Sequence, residues 1–236
     1  MSYSFKGRVR YSEIGENGCL TLPGIQDYYQ DCCTFQSEEI GQGMAELEKR
    51  QRAWVLSSWQ IVVNRYPKLG ETIVASTAPY DFRGFLGMRN FTLKTEAGEL
   101  LSYANSIWTN IDTGTGLPAR LTEEDTRGYV LDEKLEMDYA SRKIALPEGM
   151  VKGEPFAIQK HHLDTHHHVN NCQYIRMAAD YLPEGFAIYQ MRAEYKKQAL
   201  LGDVFYPSVK TEEKKITVAL STEAGEPYAI VEFTMK

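Results

Sequence analysis

All five histidines of this 236-residue chain lie in the stretch HHLDTHHHVNN, between His161 and His168. An aspartate, Asp164, stands among them, and two asparagines, Asn170 and Asn171, follow. Imidazole titrates near neutral pH and can act as a general base, and a nearby carboxylate fixes its tautomer and raises its basicity. Three interpretations are open: a metal site, a catalytic site, or a His-rich surface loop without function.

The residues before the asparagines, EPFAIQKHHLD, are predicted to be extended. Successive side chains of an extended chain face opposite sides, so Asp164, His166 and His168 share one face if the extended form continues beyond Asp164. That face would lie at the start of a helix beginning near Asn170. The first N–H groups of a helix have no internal acceptor and can bind developing negative charge. A base beside such donors is what acyl transfer or hydrolysis requires.

A metal site has weaker support in the sequence. Structural zinc usually takes four ligands of settled spacing, and His162, Asp164 and His166 would need a further Cys, Asp or Glu. The four cysteines have no C-x-x-C spacing, which argues against a zinc knuckle or a redox dithiol. We therefore expect free thiols in a reducing cytosol, and the metal site remains the less favoured interpretation.

Two pairs of similar segments, in the same order in each half, predict that the chain is a duplicated domain. The string TEAGE occurs at Thr95–Glu99 and again at Thr222–Glu226, each time between segments rich in β-forming residues. Upstream of each copy, QIVVNRYPKLGETIVAS matches MRAEYKKQALLGDVFYPSV in its order of strand, basic residues, Gly-acid pair and strand. Repeats in the same order at nearly one offset indicate two related halves.

Each half also contains one stretch with apolar residues at helical spacing. These stretches are LPGIQDYYQDCCTFQSEEIG and NNCQYIRMAADYLPEG, and each is followed by four or five strand-like segments. The pattern predicts an α+β fold in which each half is an antiparallel sheet curled around a long central helix. The predicted domains are 1–130 and 154–236, joined by a polar, turn-rich linker at 131–153.

Composition limits the classes of function. The formal net charge of -6 argues against general nucleic-acid binding. No apolar run approaches the roughly 20 residues of a membrane span, and the first residues lack a signal-peptide core. We expect a soluble cytoplasmic protein that binds neither nucleic acid nor membrane.

The chain resembles the acyl-ACP thioesterase family of plant plastids and bacteria over nearly its whole length. The resemblance rests on WVLSSWQIVVNRYPKLGE, GMRNF and SIWTNID in the first half, and on LDTHHHVNN and EYKKQALLGD in the second. It implies two tandem hotdog domains, and hydrolysis of fatty acyl-acyl carrier protein to free fatty acid and carrier. That activity belongs to fatty acid biosynthesis, and it implies that neither a metal nor an organic cofactor is needed, because a thioester is already an activated acyl group.

The family's catalytic set reads Asp-x-Asn-x-His before the second helix and Glu-Cys on a later strand. By this resemblance the aspartate falls on Asp164 and the histidine on His168. His166 occupies the asparagine position, Gln198 the glutamate position and Ala199 the cysteine position. Alanine cannot be a nucleophile, and an amide does not titrate but can hold a water by hydrogen bonds.

The expected mechanism uses these residues together. His168, with Asp164, deprotonates or positions a water, or Asp164 attacks directly. His166 and Gln198 orient the water or the thioester, and the helix start at Asn170 and Asn171 polarises the carbonyl.

The first half has no matching polar cluster. It offers ENGCLTLPG in place of the histidine stretch and Tyr66 in place of the glutamine. This suggests that the first half binds substrate, with an acyl tunnel walled by its helix. The alternative is that these side chains are simply core. The residues concerned are Tyr28, Tyr29, Cys32 and Phe35.

An acidic carrier protein needs a basic landing site, for which the sequence offers several pairs of cations. The candidates are Lys196 with Lys197, Arg142 with Lys143, and Arg83 with Arg89. Rival functions are an acyl-CoA thioesterase, a hotdog dehydratase and a non-catalytic acyl-thioester binding protein. Acyl chain length is left open, as is the choice between a monomer and a homodimer.

Overall fold

The structure, a computed structural model, describes residues 3–236. It divides into two compact units, one running up to Ser57 and then Ile61–Tyr139, the other comprising Ser58–Gln60 and Ala140–Lys236. The helices are α1 Leu22–Glu39, α2 Met44–Lys49, α3 Glu123–Thr126 and α4 Asn171–Ala179. The strands are β1 Tyr3–Arg8, β2 Arg52–Val63, β3 Thr72–Arg83, β4 Leu86–Thr95, β5 Leu100–Asp112, β6 Val151–Lys152, β7 Phe156–Ala157, β8 Gln190–Tyr195, β9 Val204–Thr211, β10 Lys215–Ser221 and β11 Pro227–Thr234.

In the first unit the strands follow the order β1-β3-β4-β5-β2, and α1 packs on β1, β3 and β4. The helix begins where the Thr21 side chain accepts a hydrogen bond from the Gly24 N–H at 3.2 Å, with a proline in the first turn. It buries Ile25, Tyr29 and Cys32 completely. Burial of these side chains against the sheet stabilises the helix more than propensity does.

The second unit repeats this architecture. Its strands follow the order β8-β11-β10-β9-β6, β7 also pairs with β9, and α4 packs on β10 and β11. Four strands follow the helix in each unit, as the sequence predicts. The second helix is shorter than expected: it has 9 residues and ends before Pro183, which cannot continue it.

The two TEAGE strings form the same hairpin turn. The Thr95 N–H donates to the Glu99 carbonyl at 2.9 Å, and the Thr222 N–H donates to the Glu226 carbonyl at 2.8 Å. In each turn the glycine has a positive φ, 92° in one and 85° in the other. Identical turns between corresponding strands confirm the α+β fold of two similar halves that the repeat predicted.

The segment after β5 is anchored on the first unit by Asn90, which is buried in β4. The Asn90 Oδ1 accepts hydrogen bonds from the Leu135 N–H at 3.0 Å and from the Tyr139 hydroxyl at 2.9 Å. Its amide nitrogen donates to the Ala104 carbonyl at 3.2 Å. The first part of the predicted linker is therefore held by partly buried hydrogen bonds to Asn90, and the predicted domain boundaries stay a prediction.

Across residues 3–236, every helix is too short or too polar to cross a lipid bilayer.

We predict that Asn90→Ala lowers the free energy of unfolding by about 1–2 kcal/mol, because it leaves the Leu135 N–H without its acceptor, while the Tyr139 hydroxyl keeps the Leu135 carbonyl. Urea unfolding measures this change. Asn64→Ala is the matched control, since Asn64 is exposed and makes one amide hydrogen bond, to the Leu100 carbonyl at 3.2 Å. The control should change stability by less than about 0.5 kcal/mol. Equal effects of the two variants would contradict the anchoring role.

Candidate functional site

Phe156–Ala157 is extended, as predicted, but the histidine stretch forms a tight turn, so the expected continuation of the extended form to His168 was wrong. A 3-10 turn covers Lys160–His162, and a loop from Asp164 to His168 follows. The Asp164 N–H donates to the His168 carbonyl at 2.8 Å, and the His167 N–H donates to the Asp164 carbonyl at 3.1 Å. Aspartate favours such turns because its carboxylate can bind backbone N–H groups two residues on.

The Asp164 carboxylate has one occupied and one open oxygen. Its Oδ1 accepts from the His166 N–H at 2.8 Å and from the His168 N–H at 3.2 Å. Its Oδ2 has no hydrogen-bond partner among residues 3–236. Asp164 is thus fixed by its own loop while one oxygen remains available to a substrate or a water.

The loop pairs with the chain that follows β8 (Gln190–Tyr195). The Val169 N–H donates to the Ala199 carbonyl at 2.9 Å, and His168 and Leu200 form an antiparallel bridge. The Leu200 N–H donates to the Asp203 Oδ2 at 2.9 Å, which closes the turn before β9. This pairing brings together the His168 and Gln198 segments, which are distant in sequence.

The candidate side chains differ in exposure. His168 and Asp164 are partly buried, whereas His166 and Gln198 are exposed. No described residue binds a ring nitrogen of His168 or the side-chain amide of Gln198. Both groups are therefore open to an incoming ligand.

His162 serves the local fold. Its Nδ1 accepts a hydrogen bond from the Gln159 N–H at 3.0 Å, which places the proton of the neutral ring on Nε2. Burial, followed by the neighbouring His161 ring, lowers the pKa of His162. In residues 3–236 no group of three or more His, Cys, Asp or Glu side chains is arranged to hold a metal.

The helix start offers one free donor. Asn170 is the cap: its Oδ1 accepts from the Cys172 N–H at 2.8 Å, and its carbonyl accepts from the Gln173 N–H at 2.9 Å. The Asn171 N–H has no acceptor in the described part of the chain. The Asn170 amide oxygen is therefore engaged in capping, and Asn171 supplies the open N–H.

The first unit contains the same turn without an aspartate or a histidine, and there the Asn17 Oδ1 accepts from the Cys19 N–H at 3.0 Å. The Gly15 N–H donates to the Cys19 carbonyl at 2.9 Å, and the Leu20 N–H donates to the Pro67 carbonyl at 2.8 Å. Gly15 thus stands where the second unit has Asp164, and Cys19 where it has His168. Tyr66 precedes Pro67 as Gln198 precedes Ala199. The backbone turn is duplicated, whereas the candidate catalytic side chains are present in the second unit and not at the equivalent positions of the first.

Three of the four first-helix residues singled out in the sequence make core contacts. The Tyr28 hydroxyl donates to the Glu13 Oε2 at 3.0 Å, and burial together with that carboxylate raises the pKa of Tyr28 to about 12. Tyr29 is fully buried, and the Cys32 Sγ lies 3.5 Å from the Ala75 carbonyl. Phe35 departs from the expected enclosure because it is 43% exposed. The acyl-tunnel role of these residues stays a prediction.

Sequence reasoning missed two residues that hold the site together, Tyr174 and Asp203. The Tyr174 hydroxyl accepts from the Ala199 N–H at 3.0 Å. Asp203 belongs to the repeated Gly-acid pair, and Glu71 caps the equivalent turn by accepting from the Lys68 N–H at 2.9 Å. The repeat was therefore a usable signal for Asp203. Tyr174 carried no such signal because its role depends on a contact distant in sequence.

His167 has a φ of 60°, in the left-handed region that glycine tolerates best, and Gly18 has a φ of 71° in the equivalent turn. We predict that His167→Gly raises the free energy of unfolding by about 1 kcal/mol, and that Gly18→Ala lowers it by about as much. A Cβ at Gly18 would have no atom within 4 Å, so only the backbone conformation is tested. Shifts of the same sign in urea unfolding would contradict this account.

The lowered pKa of His162 also predicts a pH dependence of stability. The unfolded chain takes up a proton near the ordinary pKa of 6.5, while the folded chain resists it. The stability from the neutral ring is therefore full above that pH and is lost as pH falls below it. His162→Asn keeps an acceptor but does not titrate, so its melting temperature should depend less on pH between about 5 and 8. Equal slopes for the two proteins would refute the assignment.

The sequence model described as "Acyl-ACP thioesterase N-terminal domain" matches residues 1–129. A chloroplastic acyl-[acyl-carrier-protein] hydrolase of Cuphea viscosissima is 24% identical over 212 residues, which are 80% of this chain and 50% of that protein. The chloroplastic palmitoyl-acyl carrier protein thioesterase of Gossypium hirsutum is 24% identical over 210 residues, with the same coverage. The chain spans about half the length of the curated relatives it matches.

Solved structures show the same fold over the whole chain. An acyl-ACP thioesterase from Bacteroides thetaiotaomicron superposes with a TM-score of 0.89 at 21% identity, covering 100% of this chain and 98% of that one. The 12:0-ACP thioesterase from Umbellularia californica gives a TM-score of 0.86 at 17% identity, covering 100% and 97%. The duplicated fold and the sequence match agree, and the chain belongs to the acyl-ACP thioesterase family.

Proposed function

We propose that the chain hydrolyses the thioester bond of fatty acyl chains carried by an acyl carrier protein, in fatty acid biosynthesis. The observation that carries the proposal is the backbone pairing of the His168 loop with the Gln198–Leu200 turn, beside the open N–H of Asn171. In a member of this family, that pairing assembles a base, a water-holding amide and an oxyanion donor from separate segments. The names of the curated relatives support the same activity.

The reaction needs no metal or organic cofactor, because a thioester is already an activated acyl group. Water adds its oxygen to the carbonyl carbon, the carbon–sulfur bond breaks, and the departing thiolate takes up a proton. His168 or the open Oδ2 of Asp164 accepts the proton from the water and returns it to the sulfur. In a second route, Asp164 Oδ2 attacks the carbonyl carbon and the carbon–sulfur bond breaks, so that the thiolate leaves and takes up a proton. Water then hydrolyses the resulting mixed anhydride, which releases the fatty acid and restores the Asp164 carboxylate.

Three further groups prepare the substrate. The Gln198 amide and the exposed His166 ring orient the water or the thioester, in place of the family's glutamate and asparagine. The Asn171 N–H donates to the carbonyl oxygen as negative charge develops on it. Because the Asn170 oxygen is engaged in capping, Asn170 contributes to binding through its amide nitrogen or through the helix start it holds.

The carrier is proposed to approach the face that bears Lys196 and Lys197. Both are exposed and lie directly before Gln198, although the Lys196 ammonium is 3.8 Å from Glu194 and Lys197 lies over the Tyr228 ring. An acidic carrier is attracted to such a surface even though the chain is acidic overall. The prediction that Arg89 helps to bind the carrier was wrong, because this residue is only 8% exposed.

The first unit is proposed to contribute substrate binding rather than chemistry, since it has glycine and cysteine where the second has Asp164 and His168. Tyr28, Tyr29 and Cys32 would then line the acyl path from α1 (Leu22–Glu39). The cytoplasmic location also stays a proposal, and the curated relatives are named as chloroplastic.

A thiol-release assay tests the proposal directly. Purified protein is given acyl carrier proteins loaded with chains of graded length, and the matched acyl-CoA esters in parallel. Turnover of the carrier-bound substrates at a higher kcat/KM supports the proposal. Faster turnover of the CoA esters would favour an acyl-CoA thioesterase. Acyl binding without thiol release would favour a non-catalytic binding protein.

We predict that Asp164→Asn lowers kcat by about 100-fold or more, because the amide cannot accept a proton or attack carbon. The substituted side chain keeps an oxygen for the His166 and His168 N–H groups, so the turn should persist. Circular dichroism and the melting temperature check that the variant is folded. Wild-type turnover in a folded variant would remove Asp164 from the site.

Gln198→Glu restores the carboxylate that the family resemblance implies at this position. An exposed glutamate titrates near its ordinary pKa of about 4.3, so it should act as a base at neutral pH and raise kcat by about tenfold. The kcat–pH profile should gain an acidic limb near that pKa. A variant with an unchanged rate and an unchanged profile would show that position 198 does not contact the reacting water.

A further inference from the structure

Tyr174 is the fourth residue of α4 (Asn171–Ala179) and is 2% exposed. Its hydroxyl accepts a hydrogen bond from the Ala199 N–H at 3.0 Å. Its ring packs against Tyr195 and Phe205, with ring centroids 5.6 Å and 5.5 Å away. Burial raises the pKa of Tyr174, so the phenol stays neutral and the hydrogen bond does not titrate near neutral pH.

The first unit lacks both partners of this hydrogen bond. The fourth residue of its helix is Ile25, which is fully buried and has no hydroxyl. The residue equivalent to Ala199 is Pro67, which has no N–H to donate. Donor and acceptor are therefore both present in one copy and both absent from the other. The shared fold does not require this hydrogen bond, so it serves something particular to the second unit.

The hydrogen bond fixes the backbone on which Gln198 stands. The Ala199 N–H is held by Tyr174, and its carbonyl accepts from the Val169 N–H at 2.9 Å. The next N–H, that of Leu200, is held by Asp203 at 2.9 Å. Gln198 has no hydrogen-bond partner among residues 3–236 and is exposed. The Gln198 side chain is thus unbonded, while the backbone of the two residues after it is held by hydrogen bonds.

We infer that Tyr174 is a positioning residue for the hydrolysis: it holds the Gln198–Ala199 backbone so that the Gln198 amide reaches the water or thioester beside His168. This inference rests on the proposed function. Tyr174 does not touch the reacting atoms, and it acts only through position 198. Its loss should therefore lower kcat, which depends on that alignment, more than it changes KM.

A double-mutant cycle of Tyr174→Phe and Gln198→Ala tests the inference, with kcat and KM measured on acyl carrier protein substrate well below the melting temperature. Tyr174→Phe should lower kcat about tenfold and change KM less than about twofold. In the Gln198→Ala background the same change should lower kcat less than about twofold, because there is no amide left to position. Effects that multiply independently would overturn the inference.

A second variant controls for a general loss of packing. Ala199→Pro in the Tyr174→Phe background removes the N–H that the phenylalanine cannot satisfy, which recreates the apolar–proline pair of the first unit. Because both changes break the same hydrogen bond, Ala199→Pro alone should lower kcat about as much as Tyr174→Phe, and the double variant should lower it little further. A folded double variant whose loss of kcat is the product of the two single losses would contradict the positioning role. A wild-type protein inactive on every acyl thioester would refute the proposed function, whereas an active wild type with independent effects would refute only this inference.

Discussion

The hydrogen bond from the Val169 N–H to the Ala199 carbonyl joins the two segments on which the candidate site depends. One is the loop that ends at the helix cap, and the other is the turn between β8 and β9. Both are irregular backbone, so each must satisfy its own N–H and carbonyl groups. Pairing with each other does this, and it also places His168 next to the turn that carries Gln198. The same backbone pairing that satisfies the N–H and carbonyl groups of the two segments therefore also brings the candidate catalytic residues together.

The duplication allows the fold and the chemistry to be separated. Both units use the same 3-10 turn, the same closed loop and the same pairing with the later turn. They differ in the side chains at those positions, where glycine and cysteine in one copy correspond to Asp164 and His168 in the other. The first unit forms the same backbone contacts with glycine and cysteine at these positions and with the Asn17 amide oxygen on the Cys19 N–H. The shared turn therefore does not specifically require an aspartate and a histidine there. That difference is the physical reason for proposing that the second unit carries the hydrolysis.

The sequence predicted the fold well because its signals were local or repeated. The TEAGE strings, the proline and glycine at the helix ends and the apolar spacing of α1 each correspond to a feature that the structure has. The stretch from Asp164 to His168 was predicted wrongly, because strand alternation was applied to residues whose aspartate bonds its own backbone. The role of Tyr174 could not be predicted, since its hydrogen-bond partner lies on another segment and no local sequence pattern encodes that contact. The family resemblance placed Gln198 in one set with Asp164 and His168, and the structure adds the backbone pairing between the segments that carry them.

The most direct test of this account compares His168→Ala with Cys19→Ala, which alters the equivalent position in the first unit. The measurement is the single-turnover rate of acyl carrier protein hydrolysis with enzyme in excess, on variants shown to be folded. The account predicts that His168→Ala lowers the rate by about 100-fold or more and that Cys19→Ala stays within about twofold of wild type. Equal rates for the two variants would contradict the assignment of the chemistry to the second unit.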